Sequence, residues 1–109
     1  MNQYHKKWIN IVKLIVLKHI NTKKYFVFLF GSFADNSFRR DSDLDIGIYG
    51  EKCLSDFVIA KIKWEIEESI VPFKPDIIDF SSMNDTIFKK KAMERTVFWN
   101  KPKDLNINI

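Results

Sequence analysis

Five consecutive apolar residues, Phe26-Val27-Phe28-Leu29-Phe30, run unbroken up to Gly31. That run reads as a buried strand, and Gly31-Ser32 ends it with a turn. Ten residues beyond Ser32 a second pattern begins, in which Asp43, Asp45 and Gly47 alternate with Leu44, Ile46 and Ile48. Period two is the signature of a strand with one face toward the core. The chain must therefore fold around a sheet in which a buried strand, a glycine turn and a short loop lead into a strand edged with carboxylates.

The remaining elements follow from spacing. Trp8, Ile11, Val12, Ile15 and His19 recur every three or four residues, with Lys6, Lys7, Lys13 and Lys18 largely between them. This predicts an amphipathic helix over about residues 4–20, ended by Asn21-Thr22. Residues 25–30 are the first strand and 32–37 a short helical turn. Leu54, Phe57, Val58, Ile62, Ile66 and Ile70 predict a helix over 54–70, with Ser55 as its cap and Asp56 in its first turn. Pro72 and Pro75 bracket its exit. Ile77, Ile78 and Phe80 mark a third strand carrying Asp76 and Asp79. A last helix is expected from Asn84 or Asp85 to about Glu94, and a closing strand over Thr96–Trp99. Helix, strand, helical turn, strand, helix, strand, helix makes a small α/β (α+β) domain, a mixed β-sheet with helices packed on one face. At 109 residues and 46% hydrophobic content the chain builds one core and has no room for a second domain, so 1–109 is expected to be a single unit with residues 101–109 as a frayed tail.

The net charge of +4 is unevenly spread. Residues 1–24 hold six Lys, two His and no acid, residues 31–80 hold eleven of the fourteen acids, and 89–91 are three consecutive Lys. The ordinary reading of the lysines is a solvated helix face; the functional one is contact with an acidic partner. No helix-turn-helix, zinc-finger or RNA-binding signature is present, so direct nucleic-acid binding is not expected. One cysteine, Cys53, excludes an internal disulfide and is expected to be a buried or semi-buried thiol. The start lacks a leader pattern and no apolar run approaches membrane length, so a cytoplasmic protein without membrane contact is expected.

Chemistry concentrates around the first two strands. Asp43 and Asp45 share one face of their strand, since side chains alternate. Carboxylates this close repel one another unless a cation lies between them. Magnesium takes oxygen ligands and keeps several waters, so two or three carboxylates are enough. Gly31 has no Cβ and lets backbone approach a phosphate, Ser32 adds a hydroxyl, and a helical turn starting there aims N–H groups at an anion. Asp76 and Asp79 differ by three and so face opposite sides of a regular strand. Asp76 is taken as the third carboxylate, a metal ligand that also helps to deprotonate an attacking hydroxyl, with Asp79 as the alternative. Asp41-Ser42-Asp43-Leu44-Asp45 imitates the start of an EF-hand loop, but Ile46 stands where that loop needs Gly and Lys52 where it needs Glu.

Phe30-Gly31-Ser32-Phe33-Ala34 followed by Asp41-Ser42-Asp43-Leu44-Asp45-Ile46 resembles the motif of the minimal nucleotidyltransferases (MNT) of the DNA polymerase β-like superfamily. The resemblance extends over nearly the whole chain and includes Pro75-Asp76-Ile77-Ile78-Asp79-Phe80. It implies ATP as substrate, two Mg2+ ions as cofactors, Asp43, Asp45 and Asp76 as metal-binding and catalytic carboxylates, and nucleotide contacts from Gly31, Ser32 and Ser42. Many members are antitoxins encoded beside a HEPN-domain toxin, an all-helical RNase. The resemblance then implies transfer of AMP from ATP to a hydroxyl on that toxin, usually a tyrosine, within a hetero-oligomer. This chain departs from the family at Asp35-Asn36, where Arg-Gly is usual; Arg39 and Arg40 are candidates to replace the missing cation. The alternative function is a binding module of the same fold, weak or inactive in catalysis, that neutralises the toxin by covering it, with the basic first helix and Trp8 or Trp99 at the interface, although core packing accounts for these aromatics at least as well. Transfer to a small molecule such as an aminoglycoside ranks behind both, because such enzymes usually carry an added substrate domain.

Overall fold

The computed structural model describes residues 3–31, 34, 43–82 and 86–103. Its elements are α1 (Gln3–Lys18), β1 (Tyr25–Phe30), β2 (Leu44–Gly50), α2 (Asp56–Glu68), β3 (Pro75–Asp79), α3 (Thr86–Met93) and β4 (Val97–Asn100). The sheet order is β3-β2-β1-β4. β1 lies antiparallel to β2 and β4, whereas β3 lies parallel to β2, with α2 as the crossover. The expected α/β architecture with a mixed sheet is the one observed.

Alternation along the strands separates two cores. Val27 and Leu29 of β1 join Leu44, Ile46 and Ile48 of β2 on the face covered by α1 and α2, which contribute Ile9, Val12, Val16, Ile62 and Ile66. Each fully buried aliphatic side chain here stabilises the fold by about 1.5–3 kcal/mol. Phe26, Phe28 and Phe30 point to the opposite face and cluster with Phe80, Tyr49, Ile78 and Phe98. On that face the Nζ of Lys89, from α3, lies 5.6 Å from the centre of the Tyr49 ring. Gly47 belongs to the same side of β2, where a Cβ would collide with the ring of Phe28. The glycine gives that phenylalanine its room.

Caps and cross-ties follow local chemistry. Ser55 Oγ accepts from Val58 N at 3.2 Å and starts α2, with Asp56 in the first turn as expected. Such a cap is worth about 1 kcal/mol. Lys18 and His19 reach Glu65 at 2.7 and 3.2 Å, tying α1 to α2. The hydrogen bond from Lys18 holds the Glu65 carboxyl below its usual range.

Three expectations need correction. In α2 the buried stripe is Ile62 and Ile66, with Val58 one turn earlier; Phe57 is 74% exposed, because one residue turns the helix by about 100° off that stripe. Ile70 lies beyond the end of the helix and is 73% exposed. Cys53 is exposed rather than buried: in the extended link from β2 to α2 its neighbour Leu54 packs against the core, so Cys53 faces out. Of the two readings of Trp8 and Trp99, both side chains follow the core one and pack half-buried against the helix side. The expected helical turn over 32–37 and the start of the last helix at Asn84 or Asp85 fall mostly outside the described residues, although Ala34 N does donate to Gly31 O at 3.1 Å. Among the described residues no helix is long and apolar enough to cross a membrane.

Candidate active site

β1 delivers Gly31 to one end of the sheet. Gly31 has φ +72°, the left-handed region that a side chain disfavours. It also sits directly against Asp45: a Cβ on Gly31 would collide with Asp45 Oδ2 and lie 3.1 Å from Cγ. The residue therefore meets two demands at once, an unusual φ and a close approach to a carboxylate. The sequence indicated the need for bare backbone at Gly31 but not the neighbour that enforces it.

Register brings the carboxylates together. Asp45 pairs with Phe30 across the antiparallel β1–β2 ladder and with Asp76 across the parallel β2–β3 ladder. Partners on adjacent strands lie about 4.8 Å apart and share a face. Asp43, exposed, immediately precedes β2 with the same parity as Asp45. Burial, then the charges of Asp76 and Asp43, push the half-buried Asp45 carboxyl up to about 6. Among the described residues no Lys, Arg or His forms an ion pair with any of the three.

Asp79 is engaged elsewhere. Its Oδ2 accepts from Leu54 N at 2.8 Å and its Oδ1 from Ser81 N at 2.9 Å. It pairs in register with Ile48, on the helix-covered face and away from Asp45. Ser81 Oγ in turn accepts from Gly50 N at 3.0 Å, so Asp79 and Ser81 staple the far end of β3 to the segments that follow β2. Ser32, Arg39, Arg40 and Ser42, the other sequence-derived nucleotide contacts, lie outside the described residues, as does Asp35.

The donor set suits a hard divalent cation. It is all carboxylate, lacks a protein counter-charge among the described residues, and has its Asp45 carboxyl pushed up to about 6 by burial and by the charges of Asp76 and Asp43. Among the described residues no three His, Cys, Asp or Glu side chains are gathered as tightly as a bound metal would draw them.

Residues 12–104 match a family model described as "Polymerase beta, Nucleotidyltransferase". No curated protein matches the chain. Several solved structures share its fold. A toxin–antitoxin crystal structure with AMP-PNP aligns with TM-score 0.68 and 20% identity over 83% of this chain and 70% of that one. A variant of the MntA–HpeT toxin–antitoxin, with two aspartates two positions apart changed to glutamate, aligns with TM-score 0.67 and 18% identity over 83% and 70%. A tri-AMPylated Shewanella oneidensis HEPN toxin in complex with its MNT antitoxin gives TM-score 0.57 and 16% identity over 83% and 70%. At these identities the likeness is one of fold.

Proposed function

The chain belongs to the polymerase β nucleotidyltransferase family, and from that premise we propose that it transfers AMP from ATP to a hydroxyl of a partner HEPN toxin, acting as that toxin's antitoxin in the cytoplasm. The observation that carries this is the register pairing Asp45 with Asp76 on the face where Gly31 meets Asp45. The fold neighbours supply the partner class, since toxin–antitoxin complexes recur among them and one holds an AMPylated toxin.

In this mechanism Asp43, Asp45 and Asp76 would hold two Mg2+ ions, which would supply neutralisation of the triphosphate and of charge on the attacking and leaving oxygens. Gly31 leaves backbone open to the phosphates, and Ser32, Ser42, Arg39 and Arg40 bind the nucleotide. Asp76 takes the proton of the attacking hydroxyl. The hydroxyl oxygen bonds to the α-phosphorus, the bond to the bridging oxygen breaks, and pyrophosphate leaves. The hydroxyl is a tyrosine of the toxin, so the complete site is hetero-oligomeric.

The second reading, a binding module with little chemistry, is favoured by Asp35 where the family usually carries Arg. One experiment separates the two. The protein is incubated with ATP, Mg2+ and the product of the adjacent gene, and the partner's intact mass is read. Added AMP units, lost in the Asp43→Asn, Asp45→Asn double variant together with suppression of the toxin, support transfer. Suppression without added mass, undiminished in the double variant, supports the binding module.

A further inference from the structure

The turn before β1 and the segment that leaves β4, both carrying lysine, meet in space at the end of β1 opposite the carboxylates. A cavity of about 420 Å³ is lined by Thr22, Lys23, Lys101, Pro102 and Lys103. None of the described lining residues is acidic. The described ion pairs of the chain involve only Lys18 and His19 with Glu65, so all three lining ammonium groups are without a carboxylate partner among the described residues. In sequence the two segments are separated by the acidic middle of the protein, which contributes nothing to this cavity.

The walls are held in place. Asn100, the last residue of β4, donates from Nδ2 to Thr22 O at 2.6 Å and to Tyr25 O at 2.7 Å. This single amide fastens the turn before β1 to the chain leaving β4. Lys23 N donates to Asn21 Oδ1 at 3.0 Å, which fixes that turn internally. Lys101 Nζ lies 4.6 Å from the centre of the Phe98 ring, and Pro102 is buried. Lys23, Lys101 and Lys103 thus stand on braced backbone on both sides of the cavity, with the Lys101 ammonium beside the Phe98 ring. Ammonium groups act as point charges for phosphate oxygens, and the threonine hydroxyl adds a donor.

We propose that this pocket is a second anion site that binds phosphate groups of a nucleotide or of a phosphodiester backbone. It sits at the opposite end of β1 from Gly31, roughly 17 Å away along the strand. An anion there is held without divalent metal, in contrast to one at the carboxylates.

The test uses the whole protein in EDTA, with AMP, inorganic pyrophosphate and a single-stranded oligonucleotide as separate probes, read by amide chemical shifts. Shifts centred on Thr22, Lys23 and Lys101–Lys103, weakened roughly tenfold in Lys101→Ala/Lys103→Ala, support the site. If the oligonucleotide binds more tightly than AMP, and its salt slope falls by about 1 for each lysine removed, the phosphate belongs to a backbone; equal affinity assigns it to free nucleotide. A poly-glutamate control that binds as well as the phosphate probes overturns the proposal in favour of an acidic protein partner. So does an absence of shifts at these residues up to millimolar probe, or shifts unchanged in the double variant.

Discussion

Along β1, Val27 and Leu29 turn to the aliphatic core under α1 and α2, while Phe26, Phe28 and Phe30 turn to the aromatic cluster on the other side. β2 splits in the same way: Leu44, Ile46 and Ile48 join the aliphatic core, whereas Asp45, Gly47 and Tyr49 face the aromatic side. The fully buried residues of the helix-covered face are branched aliphatics that pack against two amphipathic helices, with Trp8 and Trp99 at its margin. On the other face the ring cluster runs up to the carboxylates, since Phe30 is the register partner of Asp45. One residue of alternation is thus the whole separation between positions that hold the domain together and positions that are free to carry charge. Asp76 and Asp79 show the same division within β3, one beside Asp45 and the other tied to Leu54 N and Ser81 N.

Truncating one side chain on each face tests this contrast most severely. Ile46→Ala removes a fully buried side chain from the helix side and is expected to destabilise by about 2–5 kcal/mol in urea titration. Transfer per folded molecule should persist at low temperature. Asp76→Asn, its neighbour on the adjoining strand but on the other face, is expected to cost roughly 10²–10³-fold in transfer rate with a melting temperature close to wild type. Loss of transfer in Ile46→Ala while it is demonstrably folded, or full activity in Asp76→Asn, would erase the division between the faces.

That division was largely legible in the sequence, because period two is a strong signal when the alternating residues are Asp and Ile. The same-face parity of Asp43 and Asp45 followed from it, while the limits of β1 came from its unbroken apolar run and the Ser55 cap from the helical spacing that follows. What escaped was anything fixed by a neighbour distant in sequence. The pairing of β4 with β1 rather than with β3 leaves no local trace, so the meeting of Lys23 with Lys101 and Lys103 was invisible. Phe57 misled because a helical stripe is about 100° wide or more, and apolar residues on its margin look the same in sequence whether covered or not. Asp79 read as a spare metal ligand because hydrogen bonds to backbone N–H groups of other segments have no sequence pattern.

Gly31→Ala probes where the two demands on one residue meet. A left-handed φ costs an alanine about 1–2 kcal/mol, and its methyl group would displace the Asp45 carboxylate. Transfer should fall by up to roughly 10²-fold, since small misplacements of a reacting constellation are that costly. A variant with the stability loss but normal kinetics would mean that the contact with Asp45 has no bearing on the site.

The smallest expected effect is a pH dependence with the opposite sign from most paired carboxylates. Asp45 in the metal-free fold titrates at about 6, above its ordinary 3.8, because of burial and the Asp76 and Asp43 charges. The folded state therefore holds this proton more tightly than the unfolded chain. The group imposes no penalty below about pH 4, loses stability progressively as pH rises from 4 to 6, and reaches its full cost above that. In a fully buried carboxyl so large a rise would be worth about 3 kcal/mol; for a half-exposed one solvent screening reduces this to about 1 kcal/mol. Asp45→Asn should accordingly melt at the same temperature as wild type near pH 4 and about 4 °C higher at pH 7 in EDTA. Adding Mg2+ at pH 7 should raise the wild type and leave Asp45→Asn nearly unmoved, because the cation removes the same repulsion that the substitution does. A wild type that instead gains stability over Asp45→Asn as pH rises in EDTA would mean that a protein cation already neutralises Asp45, and the face would then be a structural ion cluster rather than a site awaiting metal.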